Sequence, residues 1–239
     1  MTEGTLLGGR VRHWQPPDGH RTSLEPVLLA ASIPARPGQR VIEAGTGVGS
    51  ALLCLAARVD GVLGLGIERD PELAEIARHN VAANGFSGLA IATADVTGWE
   101  SEAGYDHALA NPPWHDAAGT VSADPRRDAA RRAKPALFAA WATALARAVM
   151  PRGTVSFILG ADHLAGGLAA MTAAGCGSLA IFPFWSKPGR PARLVLIRAV
   201  QGGRGPTTLL AGLVLHQASG AFTPEADAVL RDGAGLTLG

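Results

Sequence analysis

Residues 38–200 predict a doubly wound α/β fold, a mostly parallel seven-stranded sheet with one antiparallel strand. Three observations carry this expectation. Short apolar runs of β type alternate with helical stretches along the whole span. A glycine turn, Glu43-Ala44-Gly45-Thr46-Gly47-Val48-Gly49, joins the first of these runs to the first helix. The last two apolar runs are separated only by Ser186-Lys187-Pro188-Gly189-Arg190-Pro191, with no helix between them, so they read as an antiparallel hairpin.

In chain order, residues 1–23 are polar and read as an irregular N-terminal arm. Residues 24–33 are apolar and helical, closed by Pro34 and Pro37. A strand at 40–43 is followed by a helix at 50–59, a strand at 62–68 and a helix at 71–84. That helix opens on Pro71, which suits a first helical position, and stops before Gly85. Strands at 89–93 and 107–110 come next. A long helix at 134–150 is stopped by Pro151 and Gly153. A strand at 154–159, a helix at 162–174 ending at Gly175, and strands at 179–185 and 192–200 complete the alternation. Crossovers of this kind are right-handed and cover both faces of a parallel sheet.

The chain of 239 residues reads as one domain over 1–239, with an arm and helix at 1–37, a core at 38–200 and a C-terminal extension at 201–239. At 47% hydrophobic and 17% charged it can bury a full core. A net charge of +1 excludes a strongly basic nucleic-acid binder, so any nucleic-acid contact must use local patches. Cys54 and Cys176 are too few for a disulfide framework or a zinc set. The seven histidines show no ligand spacing, and no metal is expected. No charged leader and no apolar run of ~18 residues occurs, so no membrane is expected and the chain reads as cytoplasmic.

Two motifs carry chemistry. Gly45, Gly47 and Gly49 leave room for close ligand approach at the end of the first strand, ahead of a helix N-terminus. Alone, the loop fits a dinucleotide, a nucleoside sulfonium or tight packing. Glu68 ends the second strand, where a carboxylate can accept from both ribose hydroxyls, with Arg69 beside it. Asp95, followed by Val96, ends the third strand and can accept from an adenine amine or start a turn. Glu43 precedes the glycines, where it would repel a pyrophosphate but meet a ligand's amino group. This favours S-adenosylmethionine over a nicotinamide dinucleotide.

The second motif is Asn111-Pro112-Pro113-Trp114, at the end of the fourth strand. Two prolines fix φ and remove two backbone donors, leaving carbonyl acceptors with little competition. With the Asn111 amide oxygen, these acceptors suit the two N–H bonds of an exocyclic amine. Trp114 can stack on a planar base. The order of the two motifs predicts direct methyl transfer to a planar amine, a reaction that rests on positioning.

On these residues the chain resembles class I S-adenosylmethionine methyltransferases of Rossmann-like fold, and within them the bacterial tRNA1(Val) (adenine-37-N6) methyltransferases. The shared segments include Glu25-Pro26-Val27, Glu43 to Gly49, Gly66 to Ala74, Asn80 to Gly85, Asn111 to Trp114, Lys187 to Arg193, and Phe222 to Ala226. The resemblance implies that Glu43, Gly45, Gly47, Glu68, Asp95 and Asn111 surround the cofactor. It implies that Asn111 to Trp114 meet the target amine, and that the substrate is adenine N6 in tRNA. Trp114 stands where that family has Tyr or Phe.

Residues 124–134 hold Arg126, Arg127, Arg131, Arg132 and Lys134 against Asp124 and Asp128. They either track RNA phosphates or form a solvated helix face. Arg21 in the arm, and Lys187, Arg190 and Arg193 on the late hairpin, are further candidate RNA contacts. Other readings remain open: methylation of a release-factor glutamine or of rRNA guanine N2, or an RNA-binding module that keeps the cofactor without turnover.

Overall fold

The computed structural model describes residues 1–17, 23–99, 104–113 and 125–238, the stretch 125–135 as helix backbone. The chain runs β1 (Thr2–Leu6), β2 (Val11–Gln15), α1 (Glu25–Ser32), β3 (Arg40–Ala44), α2 (Ser50–Arg58), β4 (Leu63–Glu68), α3 (Pro71–Ala83), β5 (Leu89–Thr93) and β6 (Tyr105–Ala110). It continues with α4 (Pro125–Ala148), β7 (Val149–Gly160), α5 (Leu164–Ala173), β8 (Cys176–Trp185), β9 (Leu194–Gln201), β10 (Thr208–Leu209), β11 (Leu213–Val214) and α6 (Pro224–Leu230).

The main sheet has the order β10-β8-β9-β7-β6-β3-β4-β5, with β11 also paired to β8. Strand β9 alone is reversed, antiparallel to both β7 and β8. The seven long strands and the single reversed one are those expected from the alternation. The extension adds two further two-residue strands, both parallel to β8.

Two elements depart from the sequence reading. The N-terminal arm is not irregular: β1 and β2 form an antiparallel hairpin. Its period-2 signal was present but disguised, because the inward positions of β2 are Val11 and a buried histidine, His13. The long helix begins at Pro125 rather than at 134. Pro135 resembles a first-turn proline, but Pro125 holds that place. Val149 and Met150, read as helical, start β7 instead.

Period-2 alternation sorts the sheet's side chains between two apolar layers. Val41, Leu109, Ile158 and Leu196 face α1, α2 and α6. Ile42, Ala108, Ala110, Phe157 and Ile197 face α4 and α5. Cys54 and Cys176 are both free and buried, and burial pushes the Cys54 thiol up to about 12. Among the described residues no helix is long and apolar enough to cross a membrane.

Arg58, at the last turn of α2, donates to the carbonyls of Ala30 and Ile33 at the end of α1. Ala30 O also accepts the capping Ile33 N–H at 3.3 Å, and Ile33 O lies past the last turn, where carbonyls lack the usual helical partner. Arg58→Ala should therefore destabilise the protein by ~1–3 kcal/mol, read as a lowered urea midpoint at unchanged slope. An unaltered midpoint would show that water serves these carbonyls equally well.

Candidate functional site

Strand register builds the site. Ala44, the last residue of β3, is opposite Ile67 of β4 on one side and Ala110 of β6 on the other. One step further, Glu68, Gly45 and Asn111 therefore stand in a row, with neighbouring strands about 4.8 Å apart. Glu68 is opposite Thr93 of β5, which brings Asp95 to the same edge. The chain leaves β3 for β4 in one direction and returns to β6 in the other. The row thus lies at the topological switch point, where open α/β sheets leave a crevice.

The loop after β3 is held in a left-handed shape at three positions, with φ of 62° at Gly45, 56° at Gly47 and 88° at Gly49. A Cβ on Gly47 would meet no protein atom within 4 Å, so this glycine faces open space. A Cβ on Gly45 would collide with the Trp141 ring of α4, so no side chain fits there. The Thr46 N–H donates to Ile67 O at 3.1 Å, and the Gly49 N–H to Thr46 O at 2.9 Å.

Two carboxylates anchor the loop from below. Glu43 is buried, and its Oε2 accepts from the Thr46 hydroxyl at 2.5 Å. Burial pushes its pKa up to about 8, against the opposing hydrogen bonds of Thr46 and the Leu52 backbone. The carboxyl is therefore neutral around pH 7, and its contacts are with Thr46 of the loop and the Leu52 backbone of α2. Glu68 is also buried, and its two oxygens accept from the Gly47 N–H at 2.8 Å and the Asp70 N–H at 2.9 Å. Each oxygen keeps acceptor capacity beyond these bonds. Open space at Gly47 beside an acceptor-rich Glu68 fits the ribose-bearing end of S-adenosylmethionine.

The other sequence-derived positions fall as follows. Ala44 and Val96 are buried in the apolar layer under α4. Arg69 is exposed beside Glu68. Asp95 is exposed and caps a short turn, its Oδ1 accepting from the Thr97 N–H at 2.8 Å and the Thr97 hydroxyl at 2.7 Å. The Thr97 backbone and hydroxyl bonds hold its carboxyl below the ordinary range. At the Asn-Pro-Pro turn Asn111 is half-buried, Pro112 buried and Pro113 exposed. Trp114, Arg21 and the side chains of Arg126, Arg127, Arg131 and Arg132 lie outside the described residues.

Lys187, Arg190 and Arg193 are exposed on the loop between β8 and β9. Strand pairing carries the row through Asn111 to Ile158, Leu196 and Phe182. β8 runs on to Trp185, roughly 10 Å beyond that row. The three cations therefore sit at the same end of the sheet as the Asn-Pro-Pro turn, with β7 between that turn and the β8–β9 wall.

Sequence reasoning missed Trp141, which lies against Gly45, and Asn80, which is fully buried in mid-helix and bonded to Val48 O in the glycine loop. A buried mid-helix asparagine leaves no periodic signal, because its contacts are with remote backbone.

Glu43 gives a pH dependence of defined sign. Its folded-state pKa is raised from 4.5 to about 8. Between these values the folded protein keeps a proton that the unfolded chain has released, so stability falls as pH rises. The wild type should lose stability across that window, and Glu43→Gln should lack this component, as measured by denaturation at several pH values. Parallel curves for both proteins would show that Glu43 ionises normally.

The sequence profile of the protein-L-isoaspartate(D-aspartate) O-methyltransferase family matches residues 23–112, ending inside the Asn-Pro-Pro turn. A tRNA1(Val) (adenine(37)-N6)-methyltransferase of Cronobacter sakazakii is 34% identical over 109 residues, 44% of each chain. A protein-L-isoaspartate O-methyltransferase of Archaeoglobus fulgidus is 38% identical over 82 residues, 33% of this chain and 38% of its own. The chain thus spans less than half the length of the curated relatives it matches. A solved structure from Agrobacterium tumefaciens, described as a predicted O-methyltransferase, superposes with a TM-score of 0.74 at 26% identity, covering 88% of this chain and 97% of that one. In fold, glycine loop and relatives the chain is similar to class I S-adenosylmethionine-dependent methyltransferases and, over part of its length, to the tRNA1(Val) (adenine(37)-N6)-methyltransferases.

Proposed function

We propose that the protein transfers a methyl group from S-adenosylmethionine to the N6 amine of an adenine in tRNA. One observation carries the reading: Asn111 stands one strand from Gly45, in the row set by the Ala44–Ala110 pairing. The Asn-Pro-Pro turn and the glycine loop therefore share one crevice. The cofactor supplies the methyl group. Gly47 admits it, and Glu68 accepts from its ribose. The Asn111 side-chain oxygen and the Pro112 carbonyl accept the amine's two N–H bonds. That polarisation turns the nitrogen lone pair outward, and the product nitrogen releases one proton to solvent. Trp114 stacks on the base. Lys187, Arg190 and Arg193 on the β8–β9 wall meet phosphates, as do the arginines at the start of α4.

The isoaspartate O-methyltransferase relatives favour a second reading, methyl transfer to a carboxylate oxygen. A carboxylate brings no N–H to the acceptors of the Asn-Pro-Pro turn, which is why the amine is preferred. Adenine, rather than guanine N2 or a glutamine amide, is supported by the tRNA methyltransferase relatives.

Incubation with unmodified tRNA and labelled cofactor, then nucleoside mass spectrometry, should yield N6-methyladenosine. Asn111→Ala should keep the fold and lose turnover by several kcal/mol of barrier, roughly a thousandfold. Label in guanosine, in a release-factor glutamine, or in a base-labile ester on an isoaspartyl peptide would overturn the adenine assignment. Wild-type turnover in Asn111→Ala would remove the turn from the chemistry.

Replacing Lys187, Arg190 and Arg193 by Gln should flatten the salt dependence of tRNA binding, by about one unit of slope for each phosphate no longer neutralised. Affinity for the cofactor should not change. A triple variant with the wild-type slope would make the wall an ordinary solvated loop.

A further inference from the structure

The N-terminal hairpin and the glycine loop meet on one buried side chain. Asn80 lies in α3 and is completely buried. Its Oδ1 accepts the Trp14 N–H at 2.8 Å. Its Nδ2 donates to Trp14 O and to Val48 O, both at 2.9 Å. Burying an amide is unfavourable unless it is hydrogen-bonded. All the protons of Nδ2 are bonded only when the hairpin and the loop are both in place.

Asn84, one turn later, bonds the hairpin but not the glycine loop, its Nδ2 also donating to Asn80 O at 2.8 Å. Its Oδ1 accepts the Arg12 N–H at 2.8 Å and its Nδ2 donates to Arg12 O at 2.7 Å. The two amides thus act along β2 as a neighbouring strand would. His13, between these contacts, is buried with Nε2 2.8 Å from the Ser50 hydroxyl, at the first residue of α2. Val48, whose carbonyl Asn80 grips, sits between Gly47, which faces open space, and Gly49, which opens α2.

We propose that Asn80 is a positioning residue for the cofactor, and that the hairpin of residues 2–15 is a working part of the cofactor site. Asn80 fixes the Val48 carbonyl and with it the left-handed path of the glycine loop, and it does so only while β2 is docked. Hairpin docking and cofactor binding are then one coupled equilibrium, each favouring the other by the same factor. The proposal rests on the S-adenosylmethionine site but not on the identity of the methyl acceptor.

The test uses the full chain and S-adenosylhomocysteine, with calorimetry and amide hydrogen exchange as readouts. In the wild type, the ligand should slow exchange at the Trp14 and Arg12 amides, although neither belongs to the glycine loop. Asn80→Asp is isosteric and keeps the acceptor for Trp14, but it loses both donated bonds. It should bind the ligand about tenfold or more weakly. Asn84→Asp loosens the hairpin without touching the loop and should show a smaller loss. Unchanged affinity in Asn80→Asp, or wild-type hairpin amides indifferent to the ligand, would overturn the proposal. If Asn80→Asp fails to fold, the wild-type exchange and Asn84→Asp decide it. A wild type that binds no S-adenosylhomocysteine would overturn the cofactor assignment itself, and this coupling with it.

Discussion

Everything in the site depends on β3 pairing in parallel with β4 on one side and β6 on the other. Because Ala44 is opposite both Ile67 and Ala110, the next residue of each strand falls on one line. A slip of one residue in either pairing would exchange the side chains that pack against α2 with those that pack against α4, and both layers are buried. The core therefore fixes the register, and the register sets Glu68, Gly45 and Asn111 side by side. Chemistry that relies on placing one atom beside another needs that kind of support.

Above this row the loop is shaped by buried polar groups, each used twice. Glu68 ends β4 but also holds the Gly47 and Asp70 amides, so the carboxylate that faces the crevice also sets the start of α3. Glu43 is deeper, and burial leaves it neutral around pH 7. A charged group there would also be repelled by Glu68. The tightest fit is steric: the Trp141 ring occupies the space where any side chain on Gly45 would go. The loop is thus confined by α4 on one side and by Asn80 and the hairpin on the other.

The relatives divide the chain in an informative way. The isoaspartate methyltransferase profile covers residues 23–112, from the start of α1 through the glycine loop to the Asn-Pro-Pro turn. The β8–β9 wall and the tail strands that widen the sheet along β8 lie beyond it. One fold hosts many acceptors, so likeness over residues 23–112 does not by itself fix the substrate.

The sequence by itself determined the alternation, the single reversed strand, the glycine loop and the Asn-Pro-Pro turn. These are local matters: strand and helix periodicity, and backbone freedom or its lack at Gly45, Gly47, Pro112 and Pro113. Even the start of α4 failed locally, because Pro125 and Pro135 carry the same first-turn signal. The tertiary structure alone decided what crosses between distant segments. It made a hairpin of a polar arm, because its strand bonds are completed by Asn80 and Asn84, more than sixty positions away. It set Trp141 against Gly45 and kept Glu43 neutral. A buried polar or aromatic group is defined by what surrounds it, and those surroundings come from chain segments that sequence order does not place together.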